Sequence, residues 1–202
     1  MILSEKASKL TITDEDSMRA NLYGLLGNVL FTPPSTEVLK DLSVLSGDET
    51  EMGNAFNNLS KIATSLDRNA ALDEYNDLFV GMGRGELLPY CSYYLTGFLN
   101  EKPLAKVRNT MRELGIEKNT EIKEPEDHIG SLFEMMSGLI VGRYGEPANI
   151  QTQQAFYSSH IEPWAGHFFK DLEAAKSSRL YQPVGTIGRL FIEIETNAYS
   201  ME

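Results

Sequence analysis

Cysteine, histidine and tryptophan are scarce in this sequence. Its 202 residues include one cysteine, Cys91, three histidines and one tryptophan. A single cysteine excludes an internal disulfide, a Cys-x-x-Cys redox pair and a thiolate-rich zinc site. Such cysteine usage is typical of proteins that work in a reducing compartment.

Long hydrophobic runs are also missing. No stretch approaches the roughly 20 apolar residues that a membrane-spanning helix needs. Residues 1–19 mix charged residues with single apolar ones, and they lack the continuous apolar segment of a secretory signal. We therefore expect a cytoplasmic protein without stable membrane insertion, and a flexible N-terminus over residues 1–15.

Basic residues are outnumbered by acidic ones. Lysine and arginine total 18 against 29 aspartates and glutamates, a formal net charge of −11. Nucleic acids and anionic membranes attract basic surfaces, so neither is expected as a partner. The charge fits a basic partner better, although many proteins are acidic for solubility alone.

The motifs of common enzyme classes do not occur. There is no Gly-x-Ser-x-Gly and no glutamate with a histidine three residues later. His160 and His167 would stand about 10 Å apart on one helix, too far to share a metal. The glycines at 81, 83 and 85 have no Gly-Lys-Ser/Thr after them, as a phosphate-binding loop would. The sequence predicts neither an enzyme nor a metal or cofactor site.

The sequence does contain many segments with helical periodicity. Apolar residues recur at the i, i+3, i+4, i+7 spacing of amphipathic helices, and no run alternates like a strand. With 42% hydrophobic residues the chain has enough material for one core. The prediction is an all-α fold with helices near 16–31, 35–45, 51–66, 70–80, 103–114, 125–144, 150–157, 163–175 and 184–197.

The polar segment after the fifth predicted helix is the best candidate hinge. Residues 118–124 are short and charged, and they separate an N-terminal from a C-terminal group of helices. We expect a single globular helical domain over residues 16–199, with the hinge at about 118–125.

Residues 124–130, Glu-Pro-Glu-Asp-His-Ile-Gly, are the most informative stretch. Pro125 suits the first turn of a helix, and the helix dipole favours Glu124, Glu126 and Asp127 there. Asp127 and His128 are expected to face outward together, with His128 near its titration range and able to act as a switch. The alternative is that these residues only cap the helix or face solvent.

Apolar and aromatic residues also gather around the glycine-rich loop at 81–89. Methionine and aromatic side chains beside such a loop suit a groove for an apolar helix or extended peptide, although the tyrosines could equally be core residues. Together with the acidic stretch they indicate a peptide partner with an apolar segment and a basic end. The residues are Leu78, Phe79, Met82, Leu87, Leu88, Pro89, Tyr90, Tyr93, Tyr94 and Leu95.

Three segments in order resemble the TorD/DmsD/NarJ-type family of cytoplasmic redox-enzyme maturation chaperones. They are residues 75–81 running on to 88–95, then 124–130, then 160–164, His-Ile-Glu-Pro-Trp. The resemblance covers most of the chain, from about residue 16 to 199. It implies an all-helical protein without catalytic activity.

The resemblance also implies the partner and the site. The protein would bind the twin-arginine signal peptide of a molybdopterin oxidoreductase precursor, hold the apoenzyme for cofactor insertion and prevent premature export. His160, Pro163 and Trp164 would build the fold beside the groove, Trp164 as a packing residue. The peptide-binding residues would be Leu78, Phe79, Pro89, Tyr90 and Tyr94 in the groove, with Glu124, Glu126, Asp127 and His128 on its acidic side.

One departure leaves the client open. DmsD-like members resemble this chain but carry tryptophan in the groove loop, where Tyr90 and Tyr94 stand here. Reductases of trimethylamine N-oxide or dimethyl sulfoxide and formate dehydrogenase are all possible clients. The resemblance allows a monomer or a domain-swapped dimer, and no guanine-nucleotide site is recognisable. The other hypotheses are a non-catalytic subunit of a redox complex and a small enzyme using Asp127 and His128.

Overall fold

The computed structural model describes residues 11–201, and this part of the chain is all-α, as predicted. Residues 11–201 contain no β-strand, only an isolated antiparallel bridge between Tyr90 and His128. The helices are α1 (Asp14–Phe31), α2 (Thr36–Ser43), α3 (Glu51–Ser65), α4 (Arg68–Tyr75), α5 (Cys91–Thr96), α6 (Lys102–Glu113), α7 (Ile129–Val141), α8 (Ile150–His160), α9 (Glu162–Ala174) and α10 (Tyr181–Ser200), and a π-helical turn (Asn76–Val80) continues α4.

Two helices differ most from the sequence prediction. Helix α5 was not predicted, because only six residues separate Tyr90 from Gly97, too few for a period to show. Helix α7 was expected from residue 125 but begins at Ile129, because His128 has an extended backbone and serves as its N-cap. The predicted flexible N-terminus falls largely outside the described residues; α1 itself begins at Asp14 behind a capping box formed by Thr13.

Helices α1 and α7 form the centre of the molecule. A Cβ added at Gly130 would lie 2.9 Å from the carbonyl oxygen of Gly27 and 2.8 Å from Cβ of Phe31. The two helices can therefore approach this closely only because glycine stands at the crossing. Helix α7 is buried along nearly all its length, as expected for a helix with apolar residues on all its sides.

Helices α9 and α10 pack against this centre. Tyr23 of α1 makes edge-to-face contacts with Phe133 of α7 (ring centroids 5.1 Å apart) and Phe191 of α10 (4.6 Å). Gly188 allows the ring of Phe169 to approach α10, since a Cβ there would lie 2.2 Å from it. Such aromatic pairs contribute beyond the area that they bury.

One buried ionic cluster joins α1 to α10. Glu195, 1% exposed, receives hydrogen bonds from Arg19 at 2.7 and 2.9 Å and from the Tyr23 hydroxyl at 2.9 Å. Arg19 also donates to the Tyr199 hydroxyl. Because a buried charge is tolerated only when it is paired and hydrogen-bonded, this cluster fixes how the two helices lie together.

The N-terminal and C-terminal helices are interleaved. Helix α1 packs on α7, and α3 packs on α10. Buried Glu74 of α4 accepts hydrogen bonds from the backbone N–H groups of Arg179 (2.7 Å) and Tyr181 (3.0 Å) at the start of α10. The hinge at 118–125 stays a prediction; a swap there would have to exchange all these contacts with a second copy.

Candidate peptide-binding site

The two central motifs meet in space. Ile129 N–H donates to Pro89 O at 2.9 Å, and Cys91 N–H donates to Asp127 O at 3.0 Å. A third bond runs from Ser92 N–H to Asp127 Oδ2 at 2.8 Å. We call residues 89–92 and 127–129 the paired segments. They connect the start of α5 to the start of α7.

Asp127 and His128 are buried, so the prediction that they face outward together is wrong. Asp127 is 0% and His128 3% exposed. The reason is the pairing itself, which requires both residues to lie between α5, α7 and α1. Asp127 Oδ1 has no hydrogen-bond partner within residues 11–201.

His128 is a cap and not a switch near neutral pH. Its Nδ1 accepts a hydrogen bond from Gly130 N–H at 3.1 Å, which requires the unprotonated nitrogen. Its ring stands edge-to-face against Phe31 and Tyr90, with centroids 5.3 and 5.1 Å apart. Burial lowers the pKa of His128 to about 3.

The sequence had suggested that the acidic residues at 124–127 lie in the first turn of α7, but they precede the helix. Residues 125–128 form a turn in which His128 N–H donates to Pro125 O at 3.1 Å. Glu126 is nearly buried and pairs with Arg108 (2.8 Å) and Lys118 (3.5 Å). Burial opposes the charged form of Glu126, but its contacts with Arg108 and Lys118 lower its pKa below the ordinary value.

Tyr90, Tyr94 and Glu124 reach the surface. The Tyr90 hydroxyl donates to Glu124 Oε2 at 2.5 Å, and the Tyr94 hydroxyl donates to Asp171 Oδ2 at 2.8 Å. Burial of the rings and these carboxylates raise the pKa of both tyrosines, so both hydroxyls remain protonated donors. The ring of Tyr94 lies on Trp164, with centroids 5.3 Å apart.

Two of the predicted groove residues lie beneath the surface. Leu78 is 0% exposed and Pro89 is also buried, so neither presents a side chain to a partner. Phe79 is half-buried, with its ring edge-to-face against Tyr75 and Tyr181. Gly85 packs on the backbone of residues 78–79, where a Cβ would lie 2.5 Å from Phe79 C. The loop is therefore tightly folded at its base.

Exposed apolar side chains lie in the glycine-rich loop and around the end of α5. We call Val80, Met82, Leu95, Phe98 and Leu99 the apolar surface; they are 42–107% exposed. Arg84 lies over the Tyr93 ring, 5.0 Å from its centroid, and so brings the loop against α5. Val80, Phe98 and Leu99 were missed, although an apolar pair after Gly97 outside any helical period was a usable signal.

Trp164 and His160 build the fold, as expected. Trp164, 1% exposed, donates from Nε1 to His160 O at 2.8 Å. His160 is buried and its Nε2 lies 2.9 Å from Thr110 Oγ1 of α6. Burial, and secondarily Lys106, lowers the pKa of His160 to about 4. Pro163 is exposed in the first turn of α9.

Residues 11–201 offer neither a cluster of metal ligands nor a membrane-spanning helix. This part of the chain holds no group of three or more histidine, cysteine, aspartate or glutamate side chains that could bind a metal. Among the same residues, no helix is both long and apolar enough to cross a bilayer. Burial raises the pKa of the Cys91 thiol to about 12, which leaves it unreactive.

Comparison with known proteins decides the family. A family model described as the nitrate reductase delta subunit matches residues 46–170. The chain belongs to the nitrate reductase delta subunit family. The resemblance to redox-enzyme maturation chaperones is thereby confirmed.

Several chaperones are similar in sequence to this chain. The chain is 25% identical over 195 residues to chaperone protein TorD of Vibrio cholerae, covering 87% of this chain and 89% of the relative. It is 27% identical over 190 residues to TorD of Photobacterium profundum, covering 82% and 87%. Because these relatives are named as chaperones, the prediction of a chaperone and not an enzyme is confirmed.

A solved structure has the same fold. A protein from Archaeoglobus fulgidus, described as a candidate redox enzyme maturation protein, matches with a TM-score of 0.61 and 21% identity. The match covers 94% of this chain and 99% of that chain. The all-α fold of this family is therefore shown across nearly the whole chain.

Proposed function

We propose that the protein is a cytoplasmic chaperone that binds the twin-arginine signal peptide and the apo form of a molybdopterin oxidoreductase. It holds the precursor for cofactor insertion and prevents premature export. The client is of the trimethylamine N-oxide reductase, dimethyl sulfoxide reductase or formate dehydrogenase type. Family membership supports the chaperone role. Binding of the signal peptide is the more specific part of the proposal.

The observation that carries the proposal is the exposed apolar surface beside exposed carboxylates. Phe98 is 69% and Met82 107% exposed, an arrangement that costs free energy unless a partner covers it. Asp171 and Glu124 stand at the neighbouring tyrosines. An apolar peptide with a basic end matches both features.

The nine predicted site residues divide into two roles in this proposal. Phe79, Tyr90, Tyr94 and Glu124 have exposed atoms and contact the peptide directly, together with the apolar surface. The other five are buried and act by holding these contacts in place. They are Leu78, Pro89, Glu126, Asp127 and His128.

Of the other hypotheses, the acid–base enzyme has the least support. Asp127 and His128 are both buried, and the His128 Nδ1 is already used by Gly130 N–H. A general base must reach a substrate proton within hydrogen-bond distance, which this burial prevents. The experiment below also tests the hypothesis that the protein is a non-catalytic subunit of a redox complex.

The proposal is tested by a tagged pull-down from anaerobically grown cells, with the bound proteins identified by mass spectrometry. We expect recovery of a molybdoenzyme precursor, and its loss when the precursor's leader is deleted. Recovery of a mature enzyme complex that does not depend on the leader would instead indicate a structural subunit.

Variants locate the binding surface. Met82→Ser and Phe98→Ser should each weaken binding of the recovered leader peptide about tenfold or more. Each substitution removes an apolar side chain whose burial against the peptide would contribute about 1–3 kcal/mol. Met18→Ser is the matched control, since Met18 is 65% exposed on α1. Equal loss in Met18→Ser would show that the effect is not local.

A further inference from the structure

A cleft adjoins the acidic side of the proposed site. It has a volume of about 250 Å³ and lies between the end of α6, residues 116–126 and the outer face of α7. Its apolar part comprises the buried Ile116 and Met135 and the half-buried Ile122 and Tyr144. Glu124, which receives the Tyr90 hydroxyl, is one of its lining residues. The cleft is therefore continuous with the surface proposed for the peptide.

The rim of the cleft carries more negative than positive charge. Its lining contains four carboxylates and two cations, Lys118 and Arg143. Glu134 is engaged with Arg143 at 3.2 Å, and Glu126 with Arg108 at 2.8 Å. Glu117 has no hydrogen-bonded or ionic partner among the described residues, and Glu124 receives only the neutral Tyr90 hydroxyl on its carboxylate. Two carboxylates thus remain available to an incoming cation.

Lys118 already lies in this cleft, beside the main-chain carbonyl of Glu124 and the carboxylate of Glu126. Lys118 Nζ donates to Glu124 O at 3.0 Å and lies 3.5 Å from Glu126 Oε1. Its side chain is 32% exposed, so it can leave the cleft without unpacking the core. Lysine side chains cost little to rearrange at a surface, because an exposed ion pair is worth only about 0–1 kcal/mol.

We propose that this cleft receives an arginine side chain from the basic end of the client's leader peptide, and that Lys118 is its internal competitor. The inference rests on the proposed function. The apolar wall of Ile122, Met135 and Tyr144 takes the aliphatic stem and one face of the guanidinium, and Glu117 and Glu124 accept its N–H groups. Lys118 moves out to solvent when the arginine enters.

This assignment differs from the expectation drawn from the sequence. Asp127 and His128 were to contact the basic part of the peptide, but both are sealed between helices. The exposed carboxylate nearest to them in the chain is that of Glu124, which lines the cleft. The charge contacts thus lie on the α6 side of residues 124–128, and the apolar contacts on the α5 side.

The experiment compares two peptides by calorimetry at low salt: the leader of the precursor recovered by the pull-down, and the same leader with both arginines replaced by glutamine. The variants are Glu117→Gln, Glu124→Gln and Lys118→Gln. The matched controls are Glu121→Gln and Lys123→Gln, which change the same charges in the same exposed segment but do not line the cleft. Circular dichroism checks the fold of each variant.

We expect Glu117→Gln and Glu124→Gln to weaken binding of the arginine leader about threefold to tenfold, the range for a partly exposed ion pair. Glu117→Gln should leave the affinity for the glutamine leader unchanged. Lys118→Gln should strengthen binding of the arginine leader alone, by about threefold or more, because the competitor is removed. Both controls should behave as the wild type.

Three results would overturn the inference. One is a glutamate effect of equal size on both peptides, another is an effect of Glu121→Gln as large as that of Glu117→Gln, and the third is no change in Lys118→Gln. In each case Phe98→Ser would still weaken leader binding about tenfold or more if the proposed function holds. Failure of the wild type to bind its leader at all would overturn the proposed function as well.

Discussion

The paired segments and the apolar surface are joined by the short helix α5, yet they have opposite properties. The paired segments hold Asp127 and His128, titratable residues that sequence patterns single out, and they bury both. The apolar surface consists of residues such as Phe98 and Leu99 that carry no chemistry, and it exposes them. A distinctive sequence motif can therefore hold a binding site in place from beneath, while apolar residues outside any motif provide the contact area.

The largest loss of stability is expected from a substitution in the buried layer beneath the apolar surface. Trp164→Ala should lower the free energy of unfolding by about 3–5 kcal/mol, because the indole is wholly buried and supports Tyr94. Urea denaturation followed by circular dichroism measures this. Phe98→Ala is the control, because it removes an exposed aromatic ring. If Phe98→Ala lowered the free energy of unfolding as much as Trp164→Ala, Phe98 would belong to the buried layer and not to the apolar surface.

Asp127→Ala tests whether the paired segments are structural. The substitution leaves Ser92 N–H without its acceptor in the core, which should cost about 1–3 kcal/mol of unfolding free energy. The same urea experiment measures it, with Asp73→Ala, an exposed change on α4, as the control. If Asp127→Ala kept full stability but lost leader binding, Asp127 would be a contact residue after all.

The pH dependence of stability tests the burial of His128. The folded state keeps this imidazole neutral down to a pKa of about 3, whereas the unfolded chain protonates it near pH 6.5. The unfolded state therefore binds more protons between these values, and stability falls as the pH falls. By pH 5.5 His128 should account for a loss of about 1 kcal/mol relative to pH 7.5.

The matched variant for that experiment is His128→Asn, because asparagine can cap α7 without titrating. Its urea midpoint should fall less between pH 7.5 and 5.5 than that of the wild type. Identical pH profiles for the wild type and His128→Asn would contradict a neutral, buried His128.

The smallest effect on stability is expected at the apolar surface itself. The double variant with Met82→Ser and Phe98→Ser should change the free energy of unfolding by no more than about 0.5 kcal/mol, because both side chains are largely exposed. Its affinity for the leader should nevertheless fall strongly. Ile194→Ser, at 53% exposure on α10, is the control for losing one exposed apolar residue elsewhere.

Much of the fold could be predicted from residue patterns. The long helices follow from their apolar periods and their caps; Thr13, Ser35, Thr50 and Asn149 each accept a hydrogen bond from the helix that they begin. Proline in the first turn of α6 and α9 marks their starts correctly. Helix α5 could not be predicted, because six residues do not show a period.

The candidate site was predicted less well, for a physical reason. Pro125 and the acidic residues after it fit a helix start, which is a local criterion, but the backbone of residues 127–129 pairs with residues 89–91 instead. That pairing joins positions more than thirty residues apart, and no local propensity reports it. Burial of His128 follows from the pairing and could not be inferred from its neighbours in sequence.

The fold class, the acidic charge and the family could all be inferred from the amino-acid sequence, because apolar periods, composition and ordered motifs are properties of the linear chain. Which of the motif residues are exposed depends on contacts between distant parts of the chain. Long-range hydrogen bonds bury Asp127 and His128, and the close packing of α1 on α7 leaves them no other place. The same packing leaves Phe98 and Met82 at the surface, since the core is already filled without them.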